Sequence, residues 1–306
     1  MAGTALLLLA RRFACGDGVC PGGKQDGQEY IGPGGGAVWE ARTGKRVARF
    51  ATSSWFGSVA FHPDGRHVAI NDLEGIQLVN VLADKVVAKF EMPERLRAGT
   101  TPGSYASCVV FAPDGSRMAT GHPDGSILIW DVKLPREQSA PLENHEAENL
   151  WADLAQAGAA DAWRAVWRLA DFPDASVPII RRHVKAVRPA PAAVTRPLLA
   201  DLDSDIFERR EMALAGLEKL GRLAERALRE HLAGNVSPEA KRRIEKLLQQ
   251  ITEAPQPATP EALQQVRAVA VLARIDSAEA RQLLRDLANG VSLAPVTRAA
   301  RAALNR

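Results

Sequence analysis

Phe111-Ala112-Pro113-Asp114-Gly115 is the stretch of this 306-residue chain that decides its fold, and it leads through Thr120 to Trp130-Asp131. It predicts an apolar strand, a Pro-Asp-Gly turn and a second strand, because proline and glycine favour the backbone angles of tight turns. The same pattern stands earlier as Phe61-His62-Pro63-Asp64-Gly65, followed by Arg66 to Ile70. A supersecondary unit that recurs along a chain indicates an array whose members bury their faces against each other.

Two further strand–turn–strand segments surround the first copy, at 37–50 and 77–90. The spacing from Phe61 to Phe111 is 50 residues, and the spacing from Trp39 to Asn80 is 41. These periods and the Trp-Asp ending resemble WD-repeat β-propellers, in which each blade has four strands. The resemblance implies that residues 33–135 form about two and a half propeller blades, with Asn80 in the Trp position of the earlier blade.

The resemblance also implies which residues build a blade. In that family a turn Asp, a strand Ser or Thr, the Trp and a Gly-His pair form a buried hydrogen-bond network. Asp124, Thr120 and Trp130 match three of these positions, whereas the Gly-His pair is absent before residue 107. The predicted structural residues of the blades are Asp64, Gly65, Asp114, Gly115, Thr120, Asp124, Trp130 and Asp131.

The strand count raises the question of how the array closes. The pattern gives two strands in the first blade, four in the second and three in the last, while closed propellers have four to eight blades. Open sheet edges associate unless they are covered. Two explanations stay open: the chain self-associates through its blade edges, or it is a truncated gene product. The Gly-rich segment at 1–32 is predicted to be disordered, or to be the wrong start of a longer gene product.

Residues 149–306 carry a helical pattern after a polar linker at 136–148. Helix starts are marked by Ser204-Asp205, Ser237-Pro238, Thr259-Pro260 and Ser277, where a side chain caps the first turn and proline fits its first position. Helices of this length joined by short turns resemble HEAT-like α-solenoids. The fold class is therefore a partial WD-repeat propeller followed by a HEAT-like α-helical region, a combination that resembles planctomycete-type bacterial WD-repeat proteins.

Composition and side-chain chemistry narrow the function. The net charge of +3 gives no overall attraction to nucleic acid or anionic membrane. Neither the histidines nor Cys15 and Cys20 form a recognised catalytic or metal-binding pattern, so no catalytic residue, cofactor or metal is predicted. No apolar run approaches the length of a membrane span, and the Leu-rich start lacks the order of a signal peptide. A cytoplasmic, non-enzymatic protein is expected.

Other proteins are therefore the expected partners, bound through propeller loops and the surface of the helical repeats. The alternative is a nucleic-acid-associated regulator that uses basic helix starts, with Arg242 and Arg243 as possible phosphate contacts. Acidic residues are interleaved with these arginines, which favours a solvated helix face over a phosphate-binding one. The sequence names neither the partner nor the oligomeric state.

Overall fold

A computed structural model describes residues 6–9, 24–25, 28–29, 35–51, 58–72, 75–93, 96, 108–122, 124–134, 140–253 and 259–305. The chain divides into two compact units. We call Ala2–Pro141 together with Gln156–Asp171 the β unit, and Leu142–Ala155 together with Phe172–Arg306 the helical unit. This grouping differs from the predicted boundary at 149, because one helical segment belongs with the strands.

The strands of the β unit form antiparallel sheets with the orders β1-β4-β5, β2-β3, β6-β7-β8-β9 and β10-β11-β12. The nine predicted strands are present as β4 to β12. The bounds are β1 (Leu6–Leu9), β2 (Lys24–Gln25), β3 (Gln28–Glu29), β4 (Gly35–Glu40), β5 (Arg46–Ala51), β6 (Ser58–Phe61), β7 (His67–Asp72), β8 (Gly75–Asn80), β9 (Lys85–Glu91), β10 (Cys108–Phe111), β11 (Arg117–Gly121) and β12 (Ile127–Asp131).

The helices are joined by short turns, with a 3₁₀ turn at Gly221–Ala224. Helix α1 begins within the predicted linker at 136–148, so the helical pattern starts earlier than the sequence indicated. The bounds are α1 (Asn144–Asp153), α2 (Ala159–Ala170), α3 (Pro173–His183), α4 (Ala192–Asp201), α5 (Phe207–Leu220), α6 (Glu225–Leu232), α7 (Pro238–Glu253), α8 (Pro260–Ile275), α9 (Ala278–Ala288) and α10 (Pro295–Leu304).

The register of the two Pro-Asp-Gly copies corrects one prediction. Trp130 pairs with Met118 in the later copy, and Val79 pairs with Val68 in the earlier one. Met118 and Val68 each stand three residues after the turn glycine, so they are equivalent. Val79 therefore occupies the Trp position, and the prediction that Asn80 occupies it is wrong.

The cause of this shift is the length of one connection. The residues between equivalent paired positions are 72–75 in the earlier copy and 122–126 in the later one, so the earlier connection is one residue shorter. Strand residues alternate between the two faces of a sheet, and a shift of one residue therefore changes the face that a side chain occupies. Counting along the sequence alone gave the wrong residue for this reason.

An apolar core lies between the sheets β6-β7-β8-β9 and β10-β11-β12. Ala69, Ile76 and Leu78 from the first sheet are buried together with Val109 and Met118 from the second. These residues come from alternate strand positions, as expected for strands that bury one face. Each copy of the repeat therefore buries an apolar face against the other copy.

Helix α2 belongs to the β unit because its apolar side has partners there. The indole of Trp163 is fully buried, and its Nε1 donates a hydrogen bond to Glu40 Oε1 over 3.2 Å. Arg66, in the first Pro-Asp-Gly turn, donates to the carbonyl of Trp167 over 2.9 Å. Periodicity predicts that a helix is amphipathic, but it does not tell which element covers the apolar side.

The helical unit confirms most of the predicted helix starts. Thr259, Ser277 and Ser237 each accept a hydrogen bond from the backbone N–H three residues later, at 3.1 to 3.2 Å. Ser204 does not cap α5, because that helix begins at Phe207 and Ser204 accepts from the N–H of Ile206 over 3.2 Å. The side chain therefore closes the turn ahead of the helix.

Helices α4 to α7 enclose one apolar core. Its buried members are Leu199, Leu202, Ala213, Leu217, Ala224, Leu228, Ala240, Ile244 and Leu247. Within the described ranges, no helix combines the length and the hydropathy that a bilayer crossing requires. The predicted lead at 1–32 is described only in strands β1 to β3, and the positions of Cys15 and Cys20 lie outside the described residues.

Candidate functional site

Three Pro-Asp-Gly turns in the β unit share one geometry. The glycines Gly65, Gly115 and Gly125 have φ of +70°, +73° and +83°, and each donates its N–H to the carbonyl three residues earlier. Glycine takes these angles without steric cost. The aspartates Asp64, Asp114 and Asp124 each accept from the N–H two residues later, at 2.8 to 3.0 Å. Five of the residues that the sequence singled out, Asp64, Gly65, Asp114, Gly115 and Asp124, thus lie in these turns.

The turn at Asp64 carries two histidines. His67 Nδ1 lies 2.7 Å from one carboxylate oxygen of Asp64, and His62 Nδ1 lies 3.1 Å from the other. Both imidazoles are buried, whereas the carboxylate is partly exposed. The equivalent Asp114 is exposed and accepts from the Ser116 hydroxyl over 2.8 Å. The turn at Asp64 therefore contains a cluster of charged groups, whereas the turn at Asp114 has a hydrogen bond at the surface.

The charges of this cluster shift its pKa values in opposite directions. Burial acts to raise the pKa of Asp64, but hydrogen bonds from His62 and His67 and their positive charges outweigh it, so the pKa lies far below 3.8. Burial acts to lower the pKa of His62, but Asp64 and the Gly115 carbonyl outweigh it, and the pKa lies above 6.5. The folded cluster thus favours the ionised carboxylate.

His62 also links the two copies of the repeat. Its Nε2 lies 3.1 Å from the carbonyl oxygen of Gly115 in the later turn, and its ring contacts Phe111 edge to face at 5.0 Å between centroids. A Cβ at Gly115 would lie 2.4 Å from His62 Nε2. Two observations therefore require glycine at position 115: its positive φ and the close approach of His62.

A second network lies inside the later copy. Trp130 Nε1 donates to Thr120 Oγ1 over 3.0 Å, and Thr120 Oγ1 lies 2.9 Å from His122 Nε2. Because the threonine oxygen accepts from the indole, its own O–H can donate to the imidazole. His122 thus supplies an imidazole to this network, in which the absent Gly-His pair was the expected source of one. Its position two residues after Thr120, directly after the end of β11, was the available signal.

Burial of the imidazole lowers the pKa of His122 below 6.5, against the opposing charge of Asp124. A neutral ring keeps Nε2 as an acceptor for the Thr120 hydroxyl, which fits the direction of the network. Asp124 accepts from the N–H and the hydroxyl of Ser126 at 2.9 and 2.7 Å. The polar groups of this turn therefore bond to one another and have a structural role.

His62, Asp64 and His67 also place possible metal-ligand atoms within 4.8 Å of one another. Their hydrogen bonds account for this arrangement, since Asp64 accepts from His67 Nδ1 and from the N–H groups of Arg66 and His67. His62 Nδ1 also lies 3.2 Å from the N–H of Asp64. We therefore treat this group as a structural cluster.

One face of the sheet β10-β11-β12 is exposed and apolar. The exposed fractions of Val110, Ile127 and Ile129 are 56%, 69% and 62%. Asp131, of the Trp-Asp pair, lies on the same face with its carboxylate 3.5 Å from Arg117. An apolar face of this kind is a candidate surface for binding another protein.

The possible phosphate contacts lie on α7 in the helical unit. Arg243 is largely buried and pairs with Glu211 at 2.7 Å and with Glu239 at 2.9 Å. Hydrogen bonds to both carboxylates raise the pKa of Arg243. Arg242 is exposed. The two arginines therefore differ. Neighbouring carboxylates neutralise the charge of Arg243, whereas Arg242 extends to solvent.

Comparison with known proteins bears on the sheet β10-β11-β12. Residues 97–131 match the family model described as WD domain, G-beta repeat. This range contains all three strands of the sheet, the turns at Asp114 and Asp124, and the Trp130–Thr120–His122 network. This stretch of the chain is similar to a WD repeat. WD repeats generally mediate protein–protein interaction and are generally non-enzymatic.

Relatives that carry WD repeats match a longer stretch. The zebrafish (Danio rerio) WD repeat and SOCS box-containing protein 1 is 32% identical over 80 residues, which is 26% of this chain and 16% of the relative. The human (Homo sapiens) protein of the same name is 34% identical over 80 residues, 26% of this chain and 17% of the relative. The match thus spans about a sixth of those proteins, and it supports a WD-repeat protein.

Proposed function

We propose that this chain is a non-enzymatic scaffold that binds other proteins. The WD repeat at 97–131 carries the proposal, because repeats of this kind generally serve protein–protein interaction. The networks around Asp64 and Thr120 support it, since their polar side chains bond to one another and build turns. The relatives named above support protein partners in general, without identifying one for this chain.

In this proposal the three larger sheets are blades of a partial WD propeller, and the helical unit is a HEAT-like array. The four-stranded sheet β6-β7-β8-β9 and the succession of short, capped helices support these assignments. The resemblance to planctomycete-type bacterial proteins and the cytoplasmic location stay predictions.

The helical unit offers one surface for a partner, a groove on α5 and α7. It is lined by Glu211, Leu214, Glu218, Arg243, Lys246, Leu247 and Gln250. Phe207 stands four residues before Glu211 and so extends the same side of α5. Its side chain is 58% exposed. An exposed aromatic ring beside apolar and charged groups is a common anchor in protein interfaces.

Nucleic-acid binding is the second candidate, and it stays a prediction. Arg242 is exposed and could contact a phosphate, but Arg243 is paired with Glu211 and Glu239. Release of a paired arginine would leave two carboxylates near the phosphate, which opposes binding. The structure gives this alternative less support than the sequence did.

The test is affinity capture with the full chain from a cell extract, with and without nuclease treatment. We expect the same proteins to be retained after nuclease treatment. Phe207→Ser should lower their retention about tenfold, because removal of an aromatic anchor costs ~1.4 kcal/mol or more. The matched control is Met212→Ser, also on α5 and 66% exposed, which should leave retention unchanged.

Retention that nuclease abolishes and that falls steeply with salt would favour the nucleic-acid candidate instead. If no protein is enriched over an unrelated chain of the same size, the scaffold proposal fails.

A further inference from the structure

The exposed face of the sheet β10-β11-β12 is mostly apolar, although it is open to water. We call it the open face; its residues are Cys108, Val110, Arg117, Ala119, Gly121, Ile127, Ile129 and Asp131. An antiparallel sheet with one solvated side usually carries polar residues on that side. Here the only charged residues on the face are Arg117 and Asp131, at one end of it. The face therefore has the chemistry of a buried surface.

The repeat shows what such a face packs against. Ala69 and Ala119 each follow the turn glycine by four residues, and they pair with Leu78 and Ile129. Ala69 and Leu78 are fully buried, in the core that contains Val109 of the next sheet. The equivalent face of the earlier copy is thus a sheet-to-sheet contact. The open face has apolar residues at the equivalent central positions, Ala119 and Ile129, without such a neighbour among the described residues.

At the other end of the array, the described side chains of β4 leave no open apolar face for a second copy. Ala37 and Val38 are adjacent on β4, point to opposite faces and are both fully buried, so both sides of that strand are covered. In the described part of the β unit, the exposed large apolar side chains are Val86 on the edge strand β9 and the three of the open face. Among the described sheets of the β unit, the open face is therefore the apolar surface that a second copy offers to it.

We propose that the open face binds the open face of a second copy, with a two-fold axis along the strands between β11 and β12. The proposal rests on the proposed function, that the chain works by binding protein surfaces. In this arrangement Arg117 lies opposite the partner subunit's Asp131, and the reverse holds by symmetry. Their side chains are 68% and 77% exposed and available for this pairing. A contact of a surface with itself closes at two copies instead of growing into a filament.

The size of the face sets the expected affinity. The axis brings β11 and β12 of each copy together, and two strands spaced ~4.8 Å apart and five residues long cover about 10 Å by about 17 Å. This is smaller than the ~800 Å² that each partner buries in a standard interface. The dimer should therefore be weak, with a dissociation constant on the order of micromolar or above.

Sedimentation equilibrium of the full chain between about 1 and about 300 μM tests the proposal. The expected result is a monomer–dimer equilibrium that Ile127→Lys with Ile129→Lys shifts at least tenfold toward monomer. Met212→Lys, an equally exposed change in the helical unit, should leave it unchanged. Circular dichroism checks that each variant is folded. A wild-type chain that is monomeric throughout overturns the proposal, as does an equal loss in the control.

A charge exchange tests the two-fold pairing itself. Arg117→Glu and Asp131→Arg should each weaken the dimer several-fold, because each places like charges across the interface. An equal mixture of the two variants should form a heterodimer at near wild-type strength. Each chain keeps like charges within itself, so only pairing between chains can give this rescue; its absence overturns the arrangement. Failure here leaves protein capture through Phe207 to be judged separately.

Discussion

The two Pro-Asp-Gly copies have the same local fold and different surroundings. At the first turn Asp64 lies between the buried rings of His62 and His67, whereas at the second Asp114 is exposed and bonds to Ser116. The turn itself needs only proline, aspartate and glycine. The contribution of each carboxylate to the free energy of unfolding depends on the side chains around it. A repeated motif therefore predicts shape more reliably than energetic importance.

The sheets that contain these copies differ in the same way. The face of the first sheet that carries Ala69 and Leu78 is buried, and the equivalent face of the second, with Ala119 and Ile129, is open. Sequence similarity between the copies does not distinguish these states. Each prediction below changes one copy and uses the other part of the array as its reference.

The largest effect is expected for Gly115→Ala. A Cβ there would lie 2.4 Å from His62 Nε2, and the residue would hold φ of +73°. Steric overlap and the left-handed conformation together should lower the free energy of unfolding by ~3 kcal/mol. Gly125→Ala is the control, since its φ is +83° but nothing lies within 4 Å of its Cβ. It should lose about 1 kcal/mol. Equal losses in urea unfolding would show that His62 does not approach Gly115.

Asp64→Asn should have the next largest effect. It removes the charge that His62 and His67 stabilise, at a cost of ~2 kcal/mol near neutral pH. Because the folded pKa of Asp64 lies below 3.8, its contribution is present above that pH and is lost as the pH falls. The difference between wild type and variant in thermal unfolding should therefore shrink in acid. Asp114→Asn should change little, and an equal loss there would contradict the comparison.

These two turns show how far the sequence reaches. The pattern of proline, aspartate and glycine predicted both turns and the strands beside them, because such a turn is determined by residues that are adjacent in sequence. The role of His62 depends on Gly115, which is 53 residues away, and that of helix α2 on Glu40, which is even farther. Contacts of this kind depend on how separate elements pack, which a local pattern does not record.

The same limit explains two further differences between sequence and structure. The Trp position of the earlier copy was assigned to Asn80, but a connection one residue shorter places Val79 there. Arg243 had the pattern of a phosphate contact, but Glu211 on another helix neutralises it. Both outcomes depend on pairing across elements. Single helix caps such as Ser277 were predicted correctly because they bond within their own first turn.

Thr120→Val should cost about 1–2 kcal/mol, because it leaves Trp130 Nε1 and His122 Nε2 without their shared partner. Thr120→Ser keeps the hydroxyl and should lose about half as much. Chemical denaturation compares the two. A valine variant as stable as the serine variant would mean that the network contributes nothing to the later copy.

The smallest effect is a difference in histidine titration between the copies. Asp64 raises the pKa of His62 above 6.5, and burial lowers that of His122 below it. The stability contributed by His62 is therefore present below pH 6.5 and is lost as the pH rises, whereas that of His122 is present above pH 6.5 and is lost as the pH falls. Imidazole NMR resonances should show the two midpoints on opposite sides of 6.5. Coincident midpoints would contradict the difference between the copies.

The most direct test of the open face is the alkylation rate of Cys108, whose exposed thiol leans over Gly121 of β11, where the proposed arrangement places the partner subunit. The rate is measured on its peptide by mass spectrometry as the protein concentration rises. If a second copy covers the face, alkylation should slow several-fold at high concentration and should stay fast when Ile127 and Ile129 are replaced by lysine. A rate that is fast and independent of concentration would show that the face stays open to water.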